Sequence, residues 1–172
     1  MHMRFYHWLF LLCMAVVLGC NKVEDEEIAL RSETFNYTFN NGAMGSGTAY
    51  NGTHDRSLSA QIKIEELQDG RTSFSAILNG TIPGAVYKVH IHDYQSPVAP
   101  SFLPYKTTPN ISILATDVVG NGATAVSGGI STMGYDQFIN AYKGILIVHD
   151  PAVFSVTSMS TFLVFGKIGM KY

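Results

Sequence analysis

The sequence predicts an all-β domain, a Greek-key barrel or sandwich of about eight antiparallel strands, on three observations. From Thr34 onward apolar and polar residues alternate with period two. Gly, Asn, Asp and Pro interrupt that alternation at short intervals. No helical pattern extends beyond one or two turns, and strands do not alternate with helices as a parallel sheet would require.

Each strand can be read in turn. Phe35, Tyr37 and Phe39 alternate with Asn36 and Thr38 before Asn40-Asn41-Gly42 turns the chain. Leu58, Ala60, Ile62 and Ile64 alternate with Ser59, Gln61 and Lys63. Asp69-Gly70, a dipeptide that tolerates the φ > 0 of a tight hairpin, leads to Phe74, Ala76 and Leu78. Asn79-Gly80 and Pro83-Gly84 turn the chain into a strand whose apolar face is Tyr87, Val89 and Ile91. Further strands are expected near Ile111–Val118, Gly122–Ser127, Gly144–Asp150 and Thr161–Ile168, with a helical turn within Asp136–Tyr142. Asp93–Asn110, stiffened by Pro97, Pro100, Pro104 and Pro109, and Asp150–Ser160 read as long irregular segments, the kind that carry function.

Composition supports one folded domain. Of 172 residues, 47% are hydrophobic and 14% charged, which excludes a disordered chain. A net charge of −2 and the lack of any basic run leave no electrostatic footprint for nucleic acid. The mean hydropathy of +0.14 is raised by one end. Arg4 precedes the apolar run Trp8–Leu18, whose eleven residues would reach only about half of a ~30 Å hydrocarbon core as a helix. Residues 1–19 therefore read as a secretory signal peptide. Val17-Leu18-Gly19-Cys20 resembles the lipobox of bacterial lipoproteins, which implies lipidation of Cys20 and an anchor in the membrane. Residues 20–33 read as the lipidated cysteine and an acidic tether, and 34–172 as the folded domain. The tether resembles the stretch after the lipid cysteine in surface-exported lipoproteins of Bacteroidetes-type bacteria. The expected location is the bacterial cell envelope, on the outer membrane. Cys13 and Cys20 are the two cysteines of the chain, so the domain has no internal disulfide.

Four histidines follow Cys20: His54, His90, His92 and His149. His90 and His92 lie at i and i+2 of one strand, on the face opposite Tyr87, Val89 and Ile91. That separation, about 6.5–7 Å, lets two rings converge on one ion. His149 ends the apolar run Ile145–Val148 and is the candidate third ligand. Imidazoles suit copper, zinc, nickel and iron, so residue type alone leaves the metal open. The alternative for His-x-His is polar surface. His54, in Asn51-Gly52-Thr53-His54-Asp55, reads as a loop residue.

These residues resemble copper–zinc superoxide dismutase. Leu78-Asn79-Gly80, Pro83-Gly84 and Val89-His90-Ile91-His92 are similar to the family's glycine-rich turn and copper-binding strand. Gly120-Asn121-Gly122-Ala123 resembles a later turn, Gly144–Asp150 the strand ending in a further copper ligand, and Phe165-Gly166-Lys167-Ile168-Gly169 the closing strand. The resemblance spans Leu58–Gly169 in order. It implies an eight-stranded Greek-key barrel with His90, His92 and His149 as copper ligands. The departures are equally specific. Asp93–Asn110 contains no histidine, so no family-type zinc site is expected. Phe162 stands where the family places its guiding arginine, Phe165 where it places a disulfide cysteine, and Val153 where it places an aspartate linking the metals. From Arg31 onward nine basic and nine acidic residues balance, leaving a domain with no net charge to attract an anion. A copper binder with at most weak dismutase activity is the expected function. Gly45-Ser46-Gly47-Thr48-Ala49 also resembles a segment of chordin-type CHRD domains, which implies as alternative a non-enzymatic surface or periplasmic module contacting an envelope protein or glycan. A nucleophilic hydrolase lacks its Gly-x-Ser-x-Gly segment.

Overall fold

The computed structural model describes residues 30–42, 48–99 and 102–170. The signal segment, Cys20, most of the tether and Gly45–Gly47 lie outside the described residues. Nine strands run antiparallel to their neighbours: β1 Ser32–Tyr37, β2 Ser59–Glu66, β3 Thr72–Asn79, β4 Val86–Tyr94, β5 Tyr105–Pro109, β6 Ala115–Val119, β7 Thr124–Ser131, β8 Lys143–His149 and β9 Phe162–Gly169. A short helix, α1 (Tyr135–Asn140), precedes β8. Among the described residues no helix is long and apolar enough to cross a membrane.

Two sheets form a sandwich. The first has the order β1-β2-β3-β7 and the second β5-β4-β8-β9. β6 shares an edge of β4 with β5, pairing Val86–His90 while β5 pairs His92 and Tyr94. Consecutive β6 and β7 lie in different sheets. β7 returns to β3 and β8 to β4, which is how a Greek-key chain crosses between layers. The barrel implied by the family resemblance is not closed by any strand pairing among the described residues. Where the β1 end of the chain nears β9, the links include Tyr37 Oη donating to the Lys167 carbonyl at 3.0 Å, the Asn40 N–H donating to Leu163 O at 2.8 Å and Asn40 Nδ2 donating to Phe162 O at 3.1 Å.

The alternation that predicted the strands also fills the core. Ala60, Ile62 and Ile64 of β2 and Phe74, Ala76 and Leu78 of β3 face Tyr87, Val89, Ile91, Leu146, Val148, Leu163, Val164 and Ile168 of the second sheet. Each large apolar side chain fully withdrawn from water contributes about 1.5–3 kcal/mol, so this face sets the register. The crossing from β3 to β4 uses Gly80 (φ 74°) and Gly84 (φ 75°), conformations that a Cβ would strain.

Four boundaries differ from the sequence reading, one of them the strand expected over Gly122–Ser127, which runs Thr124–Ser131. β1 opens at Ser32 and ends at Tyr37, leaving Phe39 to pack edge-on against Tyr50 at 5.1 Å. The strand expected from Ile111 starts only at Ala115, because Asn110 closes a turn. Its side chain accepts the Ser112 N–H at 3.1 Å and its carbonyl the Ile113 N–H at 3.0 Å. The segment expected to be irregular throughout Asp93–Asn110 contains β5. Pro109 is tolerated there because it ends an edge strand, and the buried Tyr105 anchors the other end.

Candidate metal centre

The outer face of the second sheet carries a second, smaller apolar cluster of Tyr105, Ile145, Ile147, Phe162 and Phe165. It exists because β4, β8 and β9 are covered on both sides. The Tyr105 side chain of the edge strand β5 and the 150–161 segment, with Phe154 and Met159, cover the face turned away from the main core. On β8, Ile145, Ile147 and His149 point to this face while Leu146 and Val148 point to the core. At the β8–β9 edge the register slips between Val148 and His149. Leu163 and Val164 both enter the core, and Phe162 pairs with His149.

This packing brings His90, His92 and His149 together, and one nitrogen from each lies within 4.8 Å of the others. His90 pairs with Ile147 and His92 with Ile145 across the β4–β8 ladder. His149, two residues beyond Ile147, is therefore the diagonal neighbour of His90. Ring centroids are 5.1 Å apart for His90–His149, 5.8 Å for His90–His92 and 6.5 Å for His92–His149. An ion at the centre of a triangle with that largest nitrogen separation would sit about 2.8 Å from each donor, so sub-ångström ring movements reach the ~2.0–2.1 Å of a metal–imidazole bond.

The hydrogen bonding is one-sided in a way that suits metal ligands. Nδ1–H of His92 donates to the Lys106 carbonyl at 2.8 Å, which fixes the tautomer and leaves Nε2 with its lone pair. Among the described residues, the buried side-chain nitrogen and oxygen atoms without a hydrogen-bond partner are His90 Nδ1, His92 Nε2 and both nitrogens of His149. All belong to these three rings. A buried polar atom left without a partner costs about 1–3 kcal/mol, and a shared electrophile is the simplest way to satisfy one donor of each ring.

Burial also holds the rings neutral. His149 and His92 are buried and His90 is half-buried. Desolvation, followed by the neighbouring histidines, pushes His149 down to about 3. The Ser155 backbone, which falls short of hydrogen-bond geometry, opposes this only in part. Desolvation with His92 and Lys88 pushes His90 down to about 4, and desolvation lowers His92 as well. Neutral imidazole is the form that ligates.

Aromatic rings wall two of the histidines. Tyr105 meets His92 edge-on at 5.3 Å, and Phe162 and Phe154 meet His149 at 5.2 and 4.8 Å. Tyr105 Oη donates to Val156 O at 3.0 Å. Sequence patterning did not single out Tyr105 or Phe154, since both lie in the segments read as irregular. The signal there was loop length alone.

His54 takes no part in the cluster. It is buried on the other side of β4, where Nδ1–H donates to the Asp55 carbonyl at 2.9 Å and Nε2 accepts from Tyr87 Oη at 2.8 Å. Its N–H donates to Tyr50 Oη at 2.9 Å, and that hydroxyl donates to Asp150 Oδ2 at 2.5 Å. Asp150 Oδ1 also accepts the Ala152 N–H at 2.8 Å. A buried carboxylate beside His149 is thus held by Tyr50 and by the segment carrying Phe154. Tyr50→Phe is expected to destabilise the fold by about 1.5–3 kcal/mol in urea unfolding, the value of a hydrogen bond to a charged group. Compared with known proteins, the chain matches no family model and no curated protein.

Proposed function

We propose that this chain is a copper-binding lipoprotein of a bacterial cell envelope, anchored through Cys20 to the outer membrane. Its superoxide dismutase-like sandwich holds the ion through His90, His92 and His149 and has at most weak dismutase activity. The observation that carries the reading is the convergence of three neutral imidazoles, two buried and one half-buried, with one nitrogen from each within 4.8 Å of the others and a partnerless nitrogen on every ring. Copper is favoured because imidazole suits it and because the family that the His90-Ile91-His92 strand resembles holds copper through histidines at the matching positions. Zinc of the family type would need further ligands that Asp93–Asn110 does not contain. Weak catalysis follows from Phe162, whose ring lies 5.2 Å from that of His149 and which, on the sequence resemblance, stands where that family has its guiding arginine.

The test is copper content after loading one equivalent and desalting. One copper per chain is expected, with an increase in Tm of about 5–10 °C at free copper near 100 times Kd. A protein that emerges metal-free with unchanged Tm refutes the reading and leaves the non-enzymatic CHRD-like module in its place. The anchor has its own test: Cys20→Ser is expected to move the protein from the membrane to the soluble fraction of lysed cells.

A further inference from the structure

We infer that this site selects cuprous copper over cupric copper and over zinc, an inference that rests on the copper-site reading above. The argument is one of charge and coordination number. The three donors are neutral, and among the described residues no carboxylate or thiolate joins their group. The carboxylates beside these histidines in the chain or across the β4–β6 ladder are committed elsewhere. Asp93 accepts from Lys106 Nζ at 3.1 Å, Asn110 Nδ2 at 2.7 Å and Tyr142 Oη at 3.1 Å. Asp117 pairs with Lys88 at 3.2 Å, and Asp150 is held by Tyr50 and the Ala152 N–H. No ligand therefore carries a charge to offset that of the ion, and Asp93 and Asp117 act on it only through space, beside an apolar cluster. The cost of burying a charge rises with its square, so a divalent ion pays about four times the desolvation penalty of a monovalent one.

Coordination number points the same way. Cupric copper takes tetragonal sites, and zinc held by three histidines keeps a water in its fourth position. Two of the three rings are flanked by Tyr105, Phe154 and Phe162. The phenylalanines have no lone pair to offer, the Tyr105 hydroxyl is oriented by its bond to Val156 O and the Lys106 carbonyl by its bond from His92, so no anionic fourth donor is built into the wall. A closed-shell monovalent ion has no ligand-field demand for a fourth donor, and three imidazoles complete it.

The full chain, in detergent, is titrated without oxygen with Cu(I) held as its acetonitrile complex against a cuprous chelator. Cu(II) and Zn(II) are titrated separately against a chromophoric carboxylate chelator. One Cu(I) per chain is expected, bound more than about 100-fold more tightly than either divalent ion. X-ray absorption of the copper sample is expected to show three light-atom neighbours with the multiple-scattering pattern of imidazole and no fourth neighbour. Phe154 is 55% exposed, so Phe154→Ser opens the site at little structural cost. That variant is expected to hold Cu(I) within a few-fold while gaining about tenfold for Cu(II). Zinc or Cu(II) bound as tightly as Cu(I), or a fourth light-atom neighbour on the copper, overturns the selectivity while leaving a metal centre. An unchanged Cu(I)/Cu(II) ratio in Phe154→Ser overturns the role given to the ring. Failure of all three ions to bind overturns the metal centre itself.

Discussion

His149→Ala is expected to lower copper affinity by more than about 100-fold, because even residues that only support a ligand contribute 10–100-fold. The loss should be specific to the cluster. His149 makes no hydrogen bond that its removal would break, and its neighbours are the rings of His90, Phe154 and Phe162. Copper titration and far-UV circular dichroism together check the result: lost binding with a retained β-spectrum is expected. His54→Gln is the contrasting substitution. It breaks the bonds to Tyr87 and Asp55 and so destabilises the fold, yet it should leave copper affinity within a few-fold. Equal loss of copper in both variants would mean that binding follows overall folding and not the three imidazoles.

The second large effect is on stability against pH without metal. In the folded chain His149 and His90 are pushed down from an ordinary value of 6.5 to about 3 and about 4, and His92 is lowered too, chiefly by burial. The unfolded chain therefore binds protons that the folded chain refuses as pH falls below 6.5. Stability is unaffected by these groups above that value. It declines from pH 6.5 down toward the folded values, where the loss is complete. Each histidine contributes a slope of up to about 1.4 kcal/mol per pH unit, so three together dominate mild acid unfolding. His149→Phe should remove one proton from that slope between pH 6 and 4, measured as the midpoint of urea unfolding at each pH. An identical slope in the variant would show that His149 is protonated in the folded chain. Copper competes with those protons, and bound metal should flatten the decline.

Much of this arrangement was legible in the residues. His90 and His92 are two positions apart on a strand that alternates, so their shared face follows from the chain's own geometry. His149 was legible as the end of an apolar run. The sandwich and the placement of most strands followed from the same periodicity. The neutral state of the histidines was not legible, because it depends on burial of the sheet's second face. That burial comes from β5 and the 150–161 segment, which patterning left irregular. Pro109 argued against a strand, and only the pairing of His92 with Pro109 and Tyr94 with Tyr105 shows that an edge strand forms there. The role of Tyr50 was equally hidden, since its partner Asp150 is one hundred positions away.

By itself, the sequence determined which side chains share a strand face, because alternation along one strand is a local property of the backbone. It thereby determined the core face and the pairing of His90 with His92. Only the tertiary structure decided that His149 joins them. That depends on the β4–β8 register, which sets His90 opposite Ile147, and on the slip between Val148 and His149 that pairs Phe162 with His149. Register between distant strands is chosen by the burial of every apolar residue on both faces at once. No local pattern contains that sum, and it is the sum that puts three partnerless imidazoles in one place.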